Sequence, residues 1–299
     1  MKNNKFKNIK NYKIIFFGSE SAGLRCLKFL VKQNNITISH IITNEKGLSF
    51  KAFLKIAKKN NITITSKVNL LKEIKSSIHI KEEIDFILSV FSPFIVEDEI
   101  LKISRFGGFN LHPGKLPEYA GLNPTSWSIY NNEQFHEVTL HKMTNIIDGG
   151  DILNSKKIEI TKEETAISLI NKSTIEGMNL IKEFFETISQ KSINEIAMKK
   201  QDFKKRNYYS KINPLLNPLN WNFEIEEIDR IFRSTYFGPN LSPWGSPKAI
   251  IKNKLVELTN YEIVRCEHSI KIGEVKFITN HLIEIACKNG IIKAEIIYK

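Results

Sequence analysis

Apolar and polar positions along the first third of the chain keep a strand–helix rhythm. Residues 13–17 form a short apolar run that stops at Gly18-Ser19. Leu24, Leu27, Leu30 and Val31 then recur at helical spacing, which predicts an amphipathic helix behind a tight turn. Residues 36–43 predict a second strand, residues 50–59 a helix carrying Phe53, Leu54 and Ile56, and residues 62–65 a short third strand. Residues 84–91 are almost wholly apolar, as expected of a strand covered on both faces. Strands alternating with helices predict a parallel sheet with right-handed crossovers. The fold class expected is α/β, with an open, mostly parallel, Rossmann-like sheet whose ligands bind beyond the carboxyl ends of the strands.

Residues 106–153 break this rhythm. Gly107-Gly-Phe-Asn-Leu-His-Pro-Gly-Lys-Leu-Pro117 is dense in turn formers, and Tyr119-Ala-Gly-Leu-Asn-Pro124 continues as loop. Residues 126–130 read as a helical turn, 138–142 as a strand, 145–151 as a polar loop and 152–160 as another strand. Residues 165–188 predict one long amphipathic helix, with Ile167, Leu169, Ile170, Ile175, Met178, Leu180, Ile181 and Phe184 along it. Residues 201–222 are rich in Lys, Asn, Tyr and Pro and read as a linker. Beyond them come a charged helix at 224–235, a turn at 243–247, and short strands at 249–251, 255–258, 262–265, 277–279, 282–286 and 291–297. Strands at this spacing predict a small β-barrel or curled sheet. The expected organisation is an α/β domain over residues 1–200, a linker over 201–222 and a smaller β-rich, barrel-like domain over 223–299.

Composition narrows the classes. Lys and Arg number 44 against 32 Asp and Glu, a formal charge of +12. The lysines are spread along the chain, which favours a solvated surface and permits a polyanionic partner. The apolar runs are far shorter than the roughly 20 residues that span a membrane. The start, MKNNKFKNIKNYK, lacks the apolar segment of a secretory signal. It is expected to be a solvated arm of a cytoplasmic protein. Cys26, Cys266 and Cys287 have no C-x-x-C spacing and are expected to be ordinary buried thiols. Gly18-Ser-Glu-Ser-Ala-Gly23 is neither a dinucleotide fingerprint nor a phosphate loop. It reads as a turn in which Ser19 could cap the following helix.

Three residues carry candidate chemistry. Asn110 and His112 are two apart, so on an extended segment they share a face. Asp148 follows in a Gly-rich loop. An imidazole can move a proton near neutrality. An amide N–H can stabilise an oxyanion, and a carboxylate can orient the imidazole. Together they suit acyl transfer to an amine. No Ser or Cys in a nucleophile-elbow context accompanies them, which favours direct transfer over an acyl-enzyme. The competing readings are a loop-bracing His and an Asp that merely forms a turn. A metal site fits less well, since His112, His136 and His141 lack helical ligand spacing.

A wider motif surrounds the three. Asn110-x-His112, Leu116-Pro117 with Tyr119 and Gly121, Trp127, Asn132-Glu133, Val138-Thr139 and Asp148-x-Gly150-Asp151-Ile152 occur in order. The pattern resembles the formyltransferase family that uses 10-formyltetrahydrofolate, and the α/β sheet from Lys13 onward is consistent with it. The resemblance implies that Asn110, His112 and Asp148 are catalytic, and the interval from His112 to Asp148 agrees. It implies folate binding beside Phe91, Phe94, Ile95 and Val96 and beside Asn145, Ile146 and Ile147, with Gly114, Lys115, Tyr119 and Asn123 meeting the acceptor. It further implies that a neutral amine attacks the formyl carbon on folate N10. Asn110 and His112 then stabilise the oxyanion, and Asp148 takes the proton and orients His112.

The acceptor is less sharply marked. Residues 113–127, and Phe237-Gly-Pro-Asn-Leu-Ser-Pro-Trp-Gly-Ser-Pro-Lys248, resemble formylation domains attached to peptide synthetases and their stand-alone relatives. Ser242 stands where their signature has Asn. The tRNA-formylating branch usually has an Arg before the Gly, where this chain has Ala120-Gly121. An aminoacyl carrier, an amino-sugar nucleotide and an aminoacyl-tRNA all remain as acceptors. Two other classes compete. A formyltetrahydrofolate hydrolase is expected to carry an N-terminal regulatory domain, for which the residues before Tyr12 leave no room. A noncatalytic folate-binding module would not need Asn110, His112 and Asp148 together.

Overall fold

The computed structural model describes residues 11–76, 83–240 and 242–298. The basic arm before Asn11, and Leu241 within the Phe237–Lys248 signature, lie outside the described residues. The first part runs β1 (Tyr12–Gly18), α1 (Glu20–Leu30), β2 (Ile36–Ile42), α2 (Phe50–Lys59), β3 (Thr63–Thr65), α3 (Lys67–Ser76), β4 (Phe86–Val90), α4 (Asp98–Lys102) and β5 (Gly108–His112). It continues through β6 (Ala120–Gly121), α5 (Pro124–Tyr130), β7 (Phe135–Lys142), β8 (Ile152–Glu159) and α6 (Ala166–Gln190). Then follow β9 (Tyr208–Tyr209), α7 (Ile225–Thr235), β10 (Lys248–Ile251), β11 (Lys254–Arg265), β12 (Val275–Ile278), β13 (Leu282–Cys287) and β14 (Gly290–Tyr298).

Seven strands make one sheet in the order β3-β2-β1-β4-β5-β7-β8. Pairing is parallel from β3 through β5, and β5 meets β7 antiparallel. The open, mostly parallel sheet expected from the pattern is therefore present. The chain winds outward from β1 to β3 and returns to place β4 on the other side of β1. That reversal puts a crevice at the carboxyl ends of β1 and β4, where ligands of such sheets bind.

Alternation along the strands explains both faces of this sheet. Tyr12, Phe86 and Phe109 point to one face and meet Phe184 and Phe185 of α6 in a cluster of tilted and edge-on rings. The Tyr12 hydroxyl donates to the Ile188 carbonyl at 2.9 Å, closing the same contact. Truncating a buried ring such as Phe86 to Ala costs about 3–5 kcal/mol. On the other face Ile15, Phe17, Ile42 and Ile87 pack with Leu70 of α3 and Ile100 of α4. Gly177 of α6 lets the helix approach β5, because a Cβ there would stand 2.7 Å from Leu111 Cδ2.

Several local expectations need correction. α3 and α4 are missing from the sequence reading, although Leu70 and Ile100 are fully buried; α4 is only five residues long, while α3 carries Leu70, Leu71 and Ile74 at helical spacing. Residues 255–258 and 262–265 are one strand, β11, with an irregularity between Thr259 and Glu262 where it pairs with β14. Ser19 sits at the N-cap of α1, but its side chain makes no capping hydrogen bond. Cys26 and Cys287 are buried, whereas Cys266 is partly exposed. Five strands of the C-terminal part form an antiparallel sheet in the order β10-β11-β14-β13-β12, the curled-sheet form of the two expected. α7 packs on that sheet through Phe232, stacked on Tyr261 at 4.2 Å, and through Asp229, which accepts from the Tyr261 hydroxyl at 2.7 Å.

Two compact units are distinguished. One comprises the chain up to Gly121 together with Glu137–Ile158 and Asn171–Tyr208. The other comprises Leu122–His136, Glu159–Ile170 and the chain from Tyr209 onward. Among the described residues no helix is long and apolar enough to cross a membrane.

Candidate active site

Asn110 and His112 lie within β5, not in the loop after it. Phe109 meets Phe184 of α6, and Leu111 meets Gly177 of the same helix. Alternation therefore turns Asn110 and His112 to the opposite face. The neighbouring strands set their surroundings. β4 places Ser89 beside Asn110, and β7 places His141 beside Asn110 and Thr139 beside His112. Phe91, just past β4, takes a left-handed backbone at φ +47° and donates its N–H to the Leu111 carbonyl at 3.3 Å.

Asp148 arrives from the loop after β7 and closes the group. Its Oδ1 accepts from Asn110 Nδ2 at 3.3 Å. Its Oδ2 accepts from the Gly121 N–H at 2.9 Å and lies 3.6 Å from His112 Nδ1. His141 Nε2 stands 3.5 Å from Oδ1. Asp148 holds φ at +51°, a region a non-glycine residue enters at a cost of order 1 kcal/mol or more. Gly150 makes the turn possible, since a Cβ there would sit 1.8 Å from the Lys142 carbonyl oxygen.

The hydrogen bonds fix where protons sit. A carbonyl oxygen can only accept, so His112 Nε2–H donates to the Tyr119 carbonyl at 2.8 Å. In the neutral ring Nδ1 then carries a lone pair and faces Asp148. By the same logic His141 Nδ1–H donates to the Lys142 carbonyl at 2.9 Å, and His141 Nε2 accepts from Asn110 Nδ2 at 3.1 Å. Burial pulls the His112 pKa below its ordinary value. Asp148 and the Tyr119 carbonyl oppose that shift without cancelling it, while His141 and Arg206 add to it. Burial on its own would raise Asp148. The interactions with His112 and His141 and the Gly121 N–H outweigh it and hold the carboxyl well below the carboxylate range. The group at neutral pH is an ionised Asp148 beside a neutral His112.

The residues expected around folate split by exposure. Phe94 and Val96 pack against the core beside Ile87 and Ile100, while Ile95, Ile146 and Ile147 stand exposed. Of those expected to meet the acceptor, Gly114 accepts at its carbonyl from Thr139 Oγ1 at 2.7 Å, and Lys115 pairs with Glu118 at 3.0 Å. Tyr119 is buried and contributes its carbonyl to His112. Asn123 is left-handed at φ +56° and stands at the N-cap of α5, in the second unit.

Three residues of the group have no site role in the sequence reading, and a fourth, Gly121, appears there only as part of the motif. His141 was weighed only as a metal ligand. Its signal was available in the alternation of β7, where Val138 and Leu140 are buried and Thr139 and His141 share the other side. Gly121 serves through its N–H, which no side-chain pattern marks. Gln201 and Arg206 were hidden in a segment that reads as a linker. They donate to the Asp148, Gly150 and Ile147 carbonyls of the loop. Among the described residues no set of three or more His, Cys, Asp or Glu side chains is gathered as a metal site requires. A cavity of about 370 Å³, lined by residues that include Phe135, Lys162 and Arg230, shares no residue with this group.

Comparison with known proteins gives the group a setting. Residues 12–184 match the model of a family described as formyl transferase. The methionyl-tRNA formyltransferase of Clostridium novyi (strain NT) is 28% identical over 291 residues, covering 95% of this chain and 91% of that protein. The solved structure of a sugar 3N-formyl transferase, determined in the presence of dTDP and 5-N-formyl-THF, superposes with a TM-score of 0.68 at 24% identity, covering 96% of this chain and 98% of the other. An N-formyltransferase from Helicobacter canadensis, in complex with folinic acid and dTDP-3-aminofucose, gives a TM-score of 0.68 at 20% identity, covering 96% and 100%. The two structural likenesses speak for the fold.

Proposed function

The chain belongs to the formyl transferase family, and on that premise we propose that it moves the formyl group of 10-formyltetrahydrofolate onto a primary amine, with Asn110, His112 and Asp148 as its catalytic residues. The observation that carries this reading is the buried Asp148 carboxylate, held by Asn110 and Gly121 with the His112 and His141 rings beside it. 10-Formyltetrahydrofolate is a substrate here, consumed at each turnover. Exposed Ile146 and Ile147 on the Asp148 loop, and exposed Ile95 beyond β4, are the apolar side chains offered to its ring system.

The neutral amine attacks the formyl carbon. A C–N bond forms, and the carbonyl electron pair moves to oxygen. Asn110 Nδ2 serves the oxyanion, exchanging its long 3.3 Å bond to Asp148 for the developing charge while His141 keeps the amide in place. The attacking nitrogen loses its proton to the Asp148–His112 pair. As the bond from carbon to N10 breaks, that proton goes to N10, leaving a formamide and tetrahydrofolate. No covalent enzyme intermediate is needed.

The acceptor is an amine on an anionic carrier. The +12 charge favours encounter with such a carrier, and aminoacyl-tRNA, an aminoacyl carrier protein and an amino-sugar nucleotide all qualify. On this reading the catalytic part, expected over residues 1–200, extends to Arg206. The test is a panel of these three acceptors incubated with 10-formyltetrahydrofolate labelled in the formyl carbon. Label should enter one acceptor as an amide, and His112→Ala should stop it. Release of labelled formate independent of any amine would replace this reading with hydrolysis. Folate binding without release or transfer would replace it with a binding module.

A further inference from the structure

The segment from Gln201 to Asn207 touches the Asp148 loop and the strand residue beside Gly121. Gln201 Nε2 donates to the Asp148 carbonyl at 2.9 Å and to the Gly150 carbonyl at 2.6 Å. Arg206 Nη2 donates to the Ile147 carbonyl at 2.7 Å. Phe203 lies over the same loop, since its Cζ would stand 3.2 Å from a Cβ placed on Gly149. The Asn207 carbonyl accepts from Ala120 N, one residue before the Gly121 N–H that holds the Asp148 carboxylate. The segment is itself shaped for this. Lys199 pairs with Ile152 in both directions at 2.8 Å, and Asp202 caps the short turn Phe203–Lys205.

Arg206 gains little for itself by this placement. Its Nη1 is buried with no hydrogen-bond partner among the described residues, a situation that costs about 1–3 kcal/mol. An arginine whose purpose was solubility or surface pairing would not be set there. Its guanidinium is also flanked by Phe203 and Tyr208, with ring centroids at 5.7 and 5.6 Å.

We infer that Gln201 and Arg206 are positioning residues for formyl transfer, a clamp that keeps the left-handed Asp148 loop in register with Asn110 and His112. This rests on the function proposed above. Asp148 needs such a clamp because its backbone conformation is unfavourable and its carboxylate must meet the Asn110 amide and the Gly121 N–H at once. Gln201 satisfies the carbonyls on both sides of Gly149, so the loop cannot flip without losing two hydrogen bonds. Arg206 adds a charge that bears on His112. The groups acting on His112 are Asp148 and the Tyr119 carbonyl, which favour its protonation, and His141 and Arg206, which oppose it alongside burial.

The test uses the full chain with Gln201→Ala, Arg206→Gln and Arg206→Lys. Gln201→Ala should lower kcat by about tenfold or more with KM for the amine nearly unchanged, as expected of lost orientation. Arg206→Gln keeps a donor and loses the charge, so the acid limb of the kcat/KM profile should move to higher pH. Arg206→Lys should return that limb to the wild-type position. Two readouts stand apart from turnover. Amide hydrogen exchange at residues 146–150 should speed up by about tenfold or more in Gln201→Ala. The His112 ring, followed by NMR, should titrate at higher pH in Arg206→Gln. Unchanged exchange in Gln201→Ala, or an unmoved His112 titration in Arg206→Gln, would overturn the clamp. Absence of formyl transfer by the wild type, with the exchange and titration effects present, would overturn the function and leave the clamp standing.

Discussion

Replacing Gly150 by Ala tests whether the Asp148 loop must sit where it does. The added Cβ would lie 1.8 Å from the Lys142 carbonyl oxygen, and real Cβ atoms essentially never come closer than 3.0 Å to a neighbour. Residue 150 must therefore move by more than about 1 Å, since close-packed interiors have no slack to absorb it. Lys142 cannot yield in its place. It is paired with Phe109 across the β5–β7 ladder, and its neighbour Met143 donates to the Gly108 carbonyl at 2.7 Å. The displacement falls on the loop and takes Asp148 with it, breaking the 2.6 Å bond from Gln201 to the Gly150 carbonyl. A shift of this size costs about a hundredfold in kcat. Overpacking costs about 1–3 kcal/mol of stability, a loss of some degrees in Tm that leaves the protein folded at assay temperature. Initial rates of formyl transfer, read beside a thermal melt, measure both. A folded Gly150→Ala protein with kcat within about threefold of wild type would refute the claim that the loop position governs the chemistry.

His112→Ala should lower kcat by about a thousandfold or more while folate still binds, measured by rapid-quench turnover and equilibrium dialysis. His141→Ala should cost about ten- to a hundredfold in kcat through loss of the anchor for the Asn110 amide, with KM for folate nearly constant. Asp148→Asn removes the carboxylate that favours protonation of His112, so the NMR titration of His112 should move to lower pH. Stability should also fall on acidification. The pKa of His112 is depressed in the folded protein, so below about pH 6.5 the unfolded chain takes up a proton that the buried ring resists. Urea unfolding across that range should show stability declining toward lower pH, and His112→Gln should flatten the decline.

The sheet was legible because its strands carry their own signal. The run at residues 84–91 is apolar apart from Asp85 and Ser89, and β4 is buried at every position. The α6 prediction succeeded for the same reason, since its stripe of Ile, Leu and Phe extends over many turns. α4 is a single turn-and-a-half with one buried residue, too short to show a period, whereas α3 carries Leu70, Leu71 and Ile74 at helical spacing and its signal was available. Asn110, His112 and Asp148 were legible as residue types in an ordered motif. Their partners were not, because the contacts run through the backbone. The Gly121 N–H, the Tyr119 carbonyl and the carbonyls of residues 147, 148 and 150 look the same in any sequence. Gln201 and Arg206 were lost among lysines and prolines, where composition suggests a linker and only geometry reveals attachment.

The division of labour between Asp148 and His112 follows from the direction of their shifts. The sequence reading gave the proton of the attacking amine to Asp148. A carboxylate held below the usual range is a poor resting place for a proton, because each pKa unit below ambient pH costs about 1.4 kcal/mol. His112 is closer to the need. Its Nε2–H is committed to the Tyr119 carbonyl, so Nδ1 is the open base, and it faces Asp148 at 3.6 Å. Protonating Nδ1 creates an imidazolium beside an existing carboxylate, and both ring nitrogens then donate to acceptors already in place. Burial penalises that imidazolium, which keeps His112 neutral until the amine attacks. On the mechanism proposed above, the proton is expected to rest on His112 with Asp148 as its counter-charge. A strained loop is a reasonable cost for setting that charge at the right distance: closer, and Asp148 would hold the ring protonated before the amine arrives; farther, and the buried imidazolium would go unsupported.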